Sequence, residues 1–299
     1  KQRKLGMFII RADTALLPDG WQNNVFVHIN CHGKIHKVTT STESGKPDTY
    51  VRLLLPAPVN AHSHAFQRAM AGLTEHRGSN RDDSFWTWRE LMFRFLDQLT
   101  PDDIEAIAAF VQMEMLEAGY ATNVEFHYLH HGPDGRPYNN LGEMANRVIA
   151  AAACTGIGLT LLPVHYQYGG CDFQPLAKGQ CRFHNDLDRF ADLCDAIQPG
   201  LATLPADTTF GVASHSLRAV APDSFAATRA LAKGGPYHVH LAEQLAEVEE
   251  VKQHLGARPV EWVLNNMEID DSCCFIHCTQ MQPHEIQGLA KSGAIAGLC

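Results

Sequence analysis

A chain of 299 residues, 45% hydrophobic and 19% charged, is long enough and apolar enough for one large barrel domain or two ordinary ones. Its net charge of −9 argues against a nucleic-acid partner, which needs clustered Lys and Arg. No apolar run approaches the roughly 20 residues of a membrane helix, so no membrane partner is expected.

The start, KQRKLGMFII, lacks the length and cleavage site of a secretory signal and reads as the entry to a strand. Between residues 7 and 55, short β-type runs (FII, NVFVHIN, IHKVTT) alternate with turn signals (LPDGW, CHGK). This predicts a small antiparallel, β-sandwich-like unit over residues 1–55. From Leu53 onward, apolar strand-like runs alternate with helical stretches, the rhythm of βα units around a parallel sheet. The strands are LLPAPVNAH, ATNVEFHY, GIGLTLLPVHY, TTFGVASHS, YHVHLAE, CCFIHCT and AIAGLC. The helices are PDDIEAIAAFVQMEMLEAG, LGEMANRVIAAAACTG, DLDRFADLCDAI, PDSFAATRALAKG, LAEVEEVKQHLG and MQPHEIQGLAKSG, several with an acidic first turn and a closing glycine (Gly119, Gly156, Gly234, Gly293). The fold class is therefore α/β: a (β/α)8 TIM-type barrel over residues 56–299, with the chain ending before strand eight. The widest gap, from His64 to Pro101, holds Phe85, Trp86, Trp88 and Arg89 and is expected to supply an active-site loop.

Nine cysteines, odd in number and without a CxxC pair, argue against a disulfide framework and for a reducing, cytoplasmic setting. The unusual residue is histidine, at 17 copies. Barrel chemistry sits at the carboxyl ends of strands, and there the histidines recur: His62 and His64; His127, His130 and His131; His165; His215; His238 and His240 with Glu243; and His277. Any one of them reads as a hydrogen-bonded core residue, but the joint pattern favours a metal site. Residues two apart on a strand face the same side, so His62 and His64 can hold one ion together.

VNAHSHAFQ resembles the opening metal motif of the amidohydrolase superfamily, HLAEQ the HxxE of its aminohydrolases, and IHCT their third histidine station. Together with ALLPDGW, HSHAFQRAMAGL, DSFWTWRE, EFHYLHH, GLTLLPVHY, HSLRAV and SGAIAGLC, these segments resemble formiminoglutamate deiminases from about Met7 to the last residue. The resemblance implies zinc-dependent hydrolysis of N-formimino-L-glutamate to N-formyl-L-glutamate and ammonia in histidine breakdown. It implies metal ligands His62, His64 and His240. His238 shares a face with His240, and the family pattern with the following Glu243 favours His240. A fourth ligand, an aspartate ending strand eight, is expected beyond Cys299, in a longer protein.

In the implied mechanism zinc supplies hydroxide at neutral pH. Glu243 shuttles a proton to the departing nitrogen, and His277 polarises or deprotonates the water. Substrate positions carried over are Gln67, Arg89, Tyr128, His215 and Arg218. The two arginines suit a dicarboxylate because a guanidinium grips carboxylate in a bidentate fork. Trp86 and Trp88 are read as packing. Two departures stand out: Gln280 where a histidine is expected, and Ser214 where a proline is expected. Histidine also suits iron and manganese, so the ion stays open among the three. Oligomeric state is not fixed, though large barrels often pair as homodimers. Two other readings compete: a deaminase of purines or other cyclic amidines, which would want an aromatic stacking surface, and a metal-free non-catalytic relative.

Overall fold

The computed structural model describes residues 7–40, 45–74 and 85–299; residues 1–6 of the N-terminal run and 75–84 of the long first connection lie outside the described residues. The chain divides into two compact units, residues 1–58 and 59–299.

The first unit is a single sheet of β1 (Phe8–Leu17), β2 (Gly20–Ile29), β3 (Ile35–Thr39) and β4 (Thr49–Leu54), ordered β3-β2-β1-β4. The LPDGW signal makes the β1–β2 hairpin, with Gly20 at φ +101°. The sequence suggests an antiparallel, sandwich-like unit, and β1–β2 and β2–β3 are antiparallel. The described residues, however, form one sheet and not two, and β4 runs parallel to β1. Ala12, Ala15, Val25 and Val27 form its small core.

The second unit alternates strands and helices. In chain order these are β5 (Val59–Ser63), α1 (Phe85–Leu96), α2 (Pro101–Glu117), β6 (Thr122–His127), α3 (Glu143–Thr155), β7 (Gly158–His165) and α4 (Leu187–Leu201). Then come β8 (Thr209–Phe210), β9 (Val212–Ser216), α5 (Phe225–Ala230), β10 (Tyr237–Leu241), α6 (Leu245–Leu255), α7 (Pro259–Asn266), β11 (Cys273–His277), α8 (Pro283–Ser292) and β12 (Ile295–Gly297). The sheet runs β12-β11-β10-β9-β7-β6-β5, every pairing parallel. Neighbouring strands lie about 4.8 Å apart, so a flat sheet of this order would separate its edge strands by roughly 29 Å. Instead a ligand atom of His62, at the end of β5, lies within 4.8 Å of Cys299 Sγ, just past β12. The sheet is curled into a nearly closed barrel, as the repeating βα pattern predicts.

Each strand named from the sequence is present, the fourth as β8 and β9 either side of Gly211. The inner strands carry apolar residues on both faces because both are covered: Phe126, Leu161, Leu162, Val164, Val212, Val239, Leu241, Phe275 and Ile276 are buried, whereas Val59 of β5 and Ile295 of β12 are exposed. Burial of each such side chain contributes about 1.5–3 kcal/mol. Helix starts follow local chemistry. At α2, Thr100 and Asp103 form a reciprocal capping box with Pro101 in the first turn. Helices α1 and α7 are absent from the sequence expectation. Pro259 of α7 looks like a breaker but sits in the first turn, where its missing N–H costs nothing.

Candidate active site

The residues singled out from the sequence (His62, His64, Gln67, Arg89, Tyr128, His215, Arg218, His240, Glu243 and His277) all line one cavity of about 280 Å³. It opens at the carboxyl ends of the strands, so residues far apart in sequence meet because each follows its own strand.

Two irregularities aim the histidines. Between β5 and β6 the register passes from Asn60↔Asn123 to Ser63↔Glu125, so β5 carries one extra residue around Ala61 and His62. Between β9 and β10 it passes from Ser214↔Val239 to Ser216↔His240, leaving His215 as the extra residue. Such bulges bend a strand and redirect its side chains.

His62 Nε2 lies 3.0 Å from His64 Nε2 and 3.1 Å from His240 Nε2. Nδ1 of His64 is 2.9 Å from the Phe126 carbonyl, which can only accept, so Nδ1 carries the proton and Nε2 keeps its lone pair for the cluster. Burial, reinforced by neighbouring histidines, holds His62 far below the ordinary imidazole value. Burial pushes His64 down to about 4 and His240 well below its ordinary value. All three are therefore neutral at pH 7, the form that binds a metal. Zinc–nitrogen bonds of 2.0–2.1 Å in a tetrahedron put ligand nitrogens about 3.3 Å apart. The three Nε2 atoms fit that donor set. His238 does not line the cavity, so the tertiary structure separates two residues that share a strand face.

Glu243 follows β10 through Ala242, a non-glycine residue at φ 51°, and His277 ends β11 at φ 77°. Such left-handed conformations cost of order 1 kcal/mol or more and cluster at functional sites. Here the two turns hold each other: the Cys278 and Gln280 N–H groups donate to the Leu241 and Ala242 carbonyls at 2.9 Å, and the Thr279 hydroxyl donates to the Glu243 carbonyl at 2.7 Å. The buried Glu247 carboxylate accepts the Glu243 N–H at 2.9 Å. Glu243 Oε1 then stands 3.8 Å from His277 Nε2.

The rest of the lining includes arginines and aromatic rings. Arg89 of α1 lies over the Phe93 ring, and its Nη2 is 3.5 Å from the Tyr166 hydroxyl. Arg218 follows β9, and its buried Nε finds no hydrogen-bond partner among the described residues. Gln67 donates to the Tyr128 hydroxyl at 3.0 Å. Burial, then the charges of Arg218 and Arg89, keeps His215 neutral.

Other strand-end histidines are structural. His130 and His131 bond the carbonyls of Val164 and His184. His165 bonds the Thr228 hydroxyl at 2.7 Å and stacks on Phe190. Neither they nor His127 line the cavity. Conversely, Trp88, read as packing, does line it, as do Met92, Phe93, Tyr166, Phe183 and Cys299. Tyr166 had a legible signal, standing one residue beyond the end of β7. The two departures lie outside the cavity: Ser214 accepts from the Tyr237 hydroxyl at 2.7 Å, and Gln280 bonds Ala242.

A parallel barrel that gathers histidines, a glutamate and arginines at its strand ends has the layout of a barrel enzyme. The chain belongs to the amidohydrolase family, which residues 53–299 match; residues 7–49 match "Formimidoylglutamate deiminase HutF, N-terminal domain". It is 43% identical over 294 residues to the formimidoylglutamate deiminase of Pseudomonas aeruginosa, across 98% of this chain and 64% of that protein. An amidohydrolase structure from Brucella melitensis superposes with a TM-score of 0.93 at 46% identity, covering 98% of this chain and 64% of that one. The chain thus spans less than two thirds of the length of either relative. The zinc complex of the atrazine chlorohydrolase TrzN from Arthrobacter aurescens shares the fold, with a TM-score of 0.79 at 18% identity, over 98% of this chain and 65% of that one.

Proposed function

We propose that this chain carries the active site of a zinc-dependent deaminase that hydrolyses N-formimino-L-glutamate to N-formyl-L-glutamate and ammonia in histidine degradation. The observation that carries this reading is one small cavity lined together by three converging imidazole nitrogens, Glu243 and two arginines. The 43% identical relative named for the same activity supports it. A zinc ion held by His62, His64 and His240 would supply hydroxide at neutral pH by lowering the pKa of water to about 7.

The protein's residues do the rest. Arg89 and Arg218 bind the substrate carboxylates and set the formimino carbon against the histidine cluster. As water adds to that carbon, its proton passes to Glu243, assisted by His277. Glu243 delivers that proton to the imino nitrogen, and the second proton, on the hydroxyl of the tetrahedral adduct, follows by the same route as the carbonyl forms and the C–N bond breaks, so that the nitrogen leaves as ammonia. Gln67, Tyr128 and His215 complete the substrate wall. A cavity of about 280 Å³ is at the small end of ligand sites (about 300–1,000 Å³) and suits a small acyclic substrate.

A second reading is a deaminase of purine-type amidines. The aromatic wall of Trp88, Phe93, Tyr128, Tyr166 and Phe183 supplies the stacking surface that reading needs. Relatives named as 5-methylthioadenosine/S-adenosylhomocysteine deaminases, such as that of Desulfovibrio desulfuricans at 25% identity over 82% of this chain and 49% of its own, stand beside it. The arginines favour the dicarboxylate. One assay separates them: ammonia release by the metal-loaded full-length protein from N-formimino-L-glutamate and from adenosine derivatives, with His240→Ala as control. Release from the formimino compound, lost in the control, is expected; release from the nucleosides alone would sink the proposal.

A further inference from the structure

Glu125 on β6 is a buried carboxylate with no part in the chemistry above. Its Oε1 accepts the Ala65 N–H at 2.7 Å, and its Oε2 accepts from Asn123 Nδ2 at 3.2 Å. Asn123 is fully buried, and its Oδ1 accepts from Asn60 Nδ2 at 3.2 Å. Asn60 Oδ1 in turn accepts the His62 N–H at 3.4 Å. Each amide accepts on its oxygen and donates from its nitrogen, so donation runs from the His62 N–H through Asn60 and Asn123 to Glu125, whose carboxylate also accepts from the Ala65 N–H on its other side. The stretch from His62 to Ala65 runs from the β5 bulge to the turn just past the strand, where the ladder to β6 is interrupted or ended and side chains replace missing backbone partners. The chain brackets both His62 and His64.

We propose that the buried Asn60–Asn123–Glu125 chain is a positioning device that sets the spacing of His62 and His64 and so governs metal affinity from the neighbouring strand. This rests on the reading of those histidines as metal ligands. An amide on the N–H of His62 and a carboxylate on the N–H that follows His64 fix the backbone from which both rings project, and loss of groups that support a ligand typically costs 10–100-fold in metal affinity.

The test measures zinc affinity by chelator competition, and the visible spectrum of the cobalt-loaded protein, in variants that unfold cooperatively. Glu125→Gln keeps the shape and an acceptor for Ala65, but sets its amide NH2 against that of Asn123. Zinc affinity is expected to fall 10–100-fold, with a changed cobalt spectrum. The double variant Glu125→Gln/Asn123→Asp swaps carboxylate and amide, restores each donor to an acceptor, and is expected to recover most of the affinity. Asn60→Ala cuts the chain at its half-buried end, keeps the carboxylate, and is also expected to weaken binding. Parent-like affinity in Glu125→Gln or in Asn60→Ala, or a loss that the swap does not recover, overturns the proposal. His62→Ala separates the premises: if it too binds zinc like the parent, the ligand assignment fails and the positioning role with it.

Discussion

Arg218 brings a guanidinium to the cavity wall, and its buried Nε has no hydrogen-bond partner among the described residues, which leaves a donor for a substrate carboxylate. A hydrogen bond to a charged group is worth about 1.5–3 kcal/mol, more when its loss strands a buried partner. Arg218→Ala is therefore expected to lower kcat/KM for N-formimino-L-glutamate on the order of 100-fold, measured by steady-state ammonia release; an unchanged value would remove Arg218 from the substrate wall. At this scale, much of the site was legible. HxH, HLAEQ and HSLRAV name residues whose place at a strand end decides their exposure to the cavity. The choice of His240 over His238 was not legible from strand geometry, because both share a face and only depth in the barrel separates them. His130, His131 and His165 show the opposite failure. Their strand-end positions look like ligation, but local carbonyls and a hydroxyl engage one ring nitrogen of each, and none of the three lines the cavity.

Among the elements, the interrupted fourth strand is the most exacting. A Cβ at Gly211 would lie 2.2 Å from the Pro236 carbonyl oxygen and 2.7 Å from Leu162 Cδ2. The first of these is backbone and cannot move aside without shifting the entry to β10. Gly211→Ala is expected to cost about 1–3 kcal/mol, the usual penalty of overpacking, read as a lower midpoint in thermal unfolding; a parent-like midpoint would show that the barrel gives way freely there. Inner strands were legible because parallel strands covered on both faces are rich in apolar residues. Helix α1 was not, since its aromatic-rich WTWRELMFRFL carries no clear starting signal. The parallel pairing of β4 with β1 was not either, because alternation in a short strand is indifferent to direction.

For the whole molecule, buried titratable groups set the response to acid. His64, His127, His165 and His238 are each pushed by burial down to about 4, against about 6.5 in the unfolded chain. As pH falls from 6.5 to 4 the unfolded chain takes up protons that the folded state refuses. Each such histidine then costs roughly 3 kcal/mol by pH 4, at 1.36 kcal/mol per unit. Glu125, raised by burial to about 7, works in the other direction, as does Glu247. The burial penalty of Glu125 is relieved as pH falls from 7 toward 4.5, and that of Glu247 is relieved in the same direction. Four histidines outweigh two carboxylates, and His62, His215 and His240 add to the histidine side. The metal-free protein is therefore expected to lose stability steeply between pH 6.5 and 4 in melts across that range; a flat profile would show that these histidines are not held neutral by the fold. By itself the sequence determined the βα rhythm, the barrel and the residues at its strand ends, because periodicity and chain order are local properties. Only the tertiary structure decided which of those residues share a cavity, that aromatic rings line it, and that a bulge braced by Glu125 brackets His62 and His64. Those outcomes depend on curvature, strand register and burial, which arise when distant segments pack together.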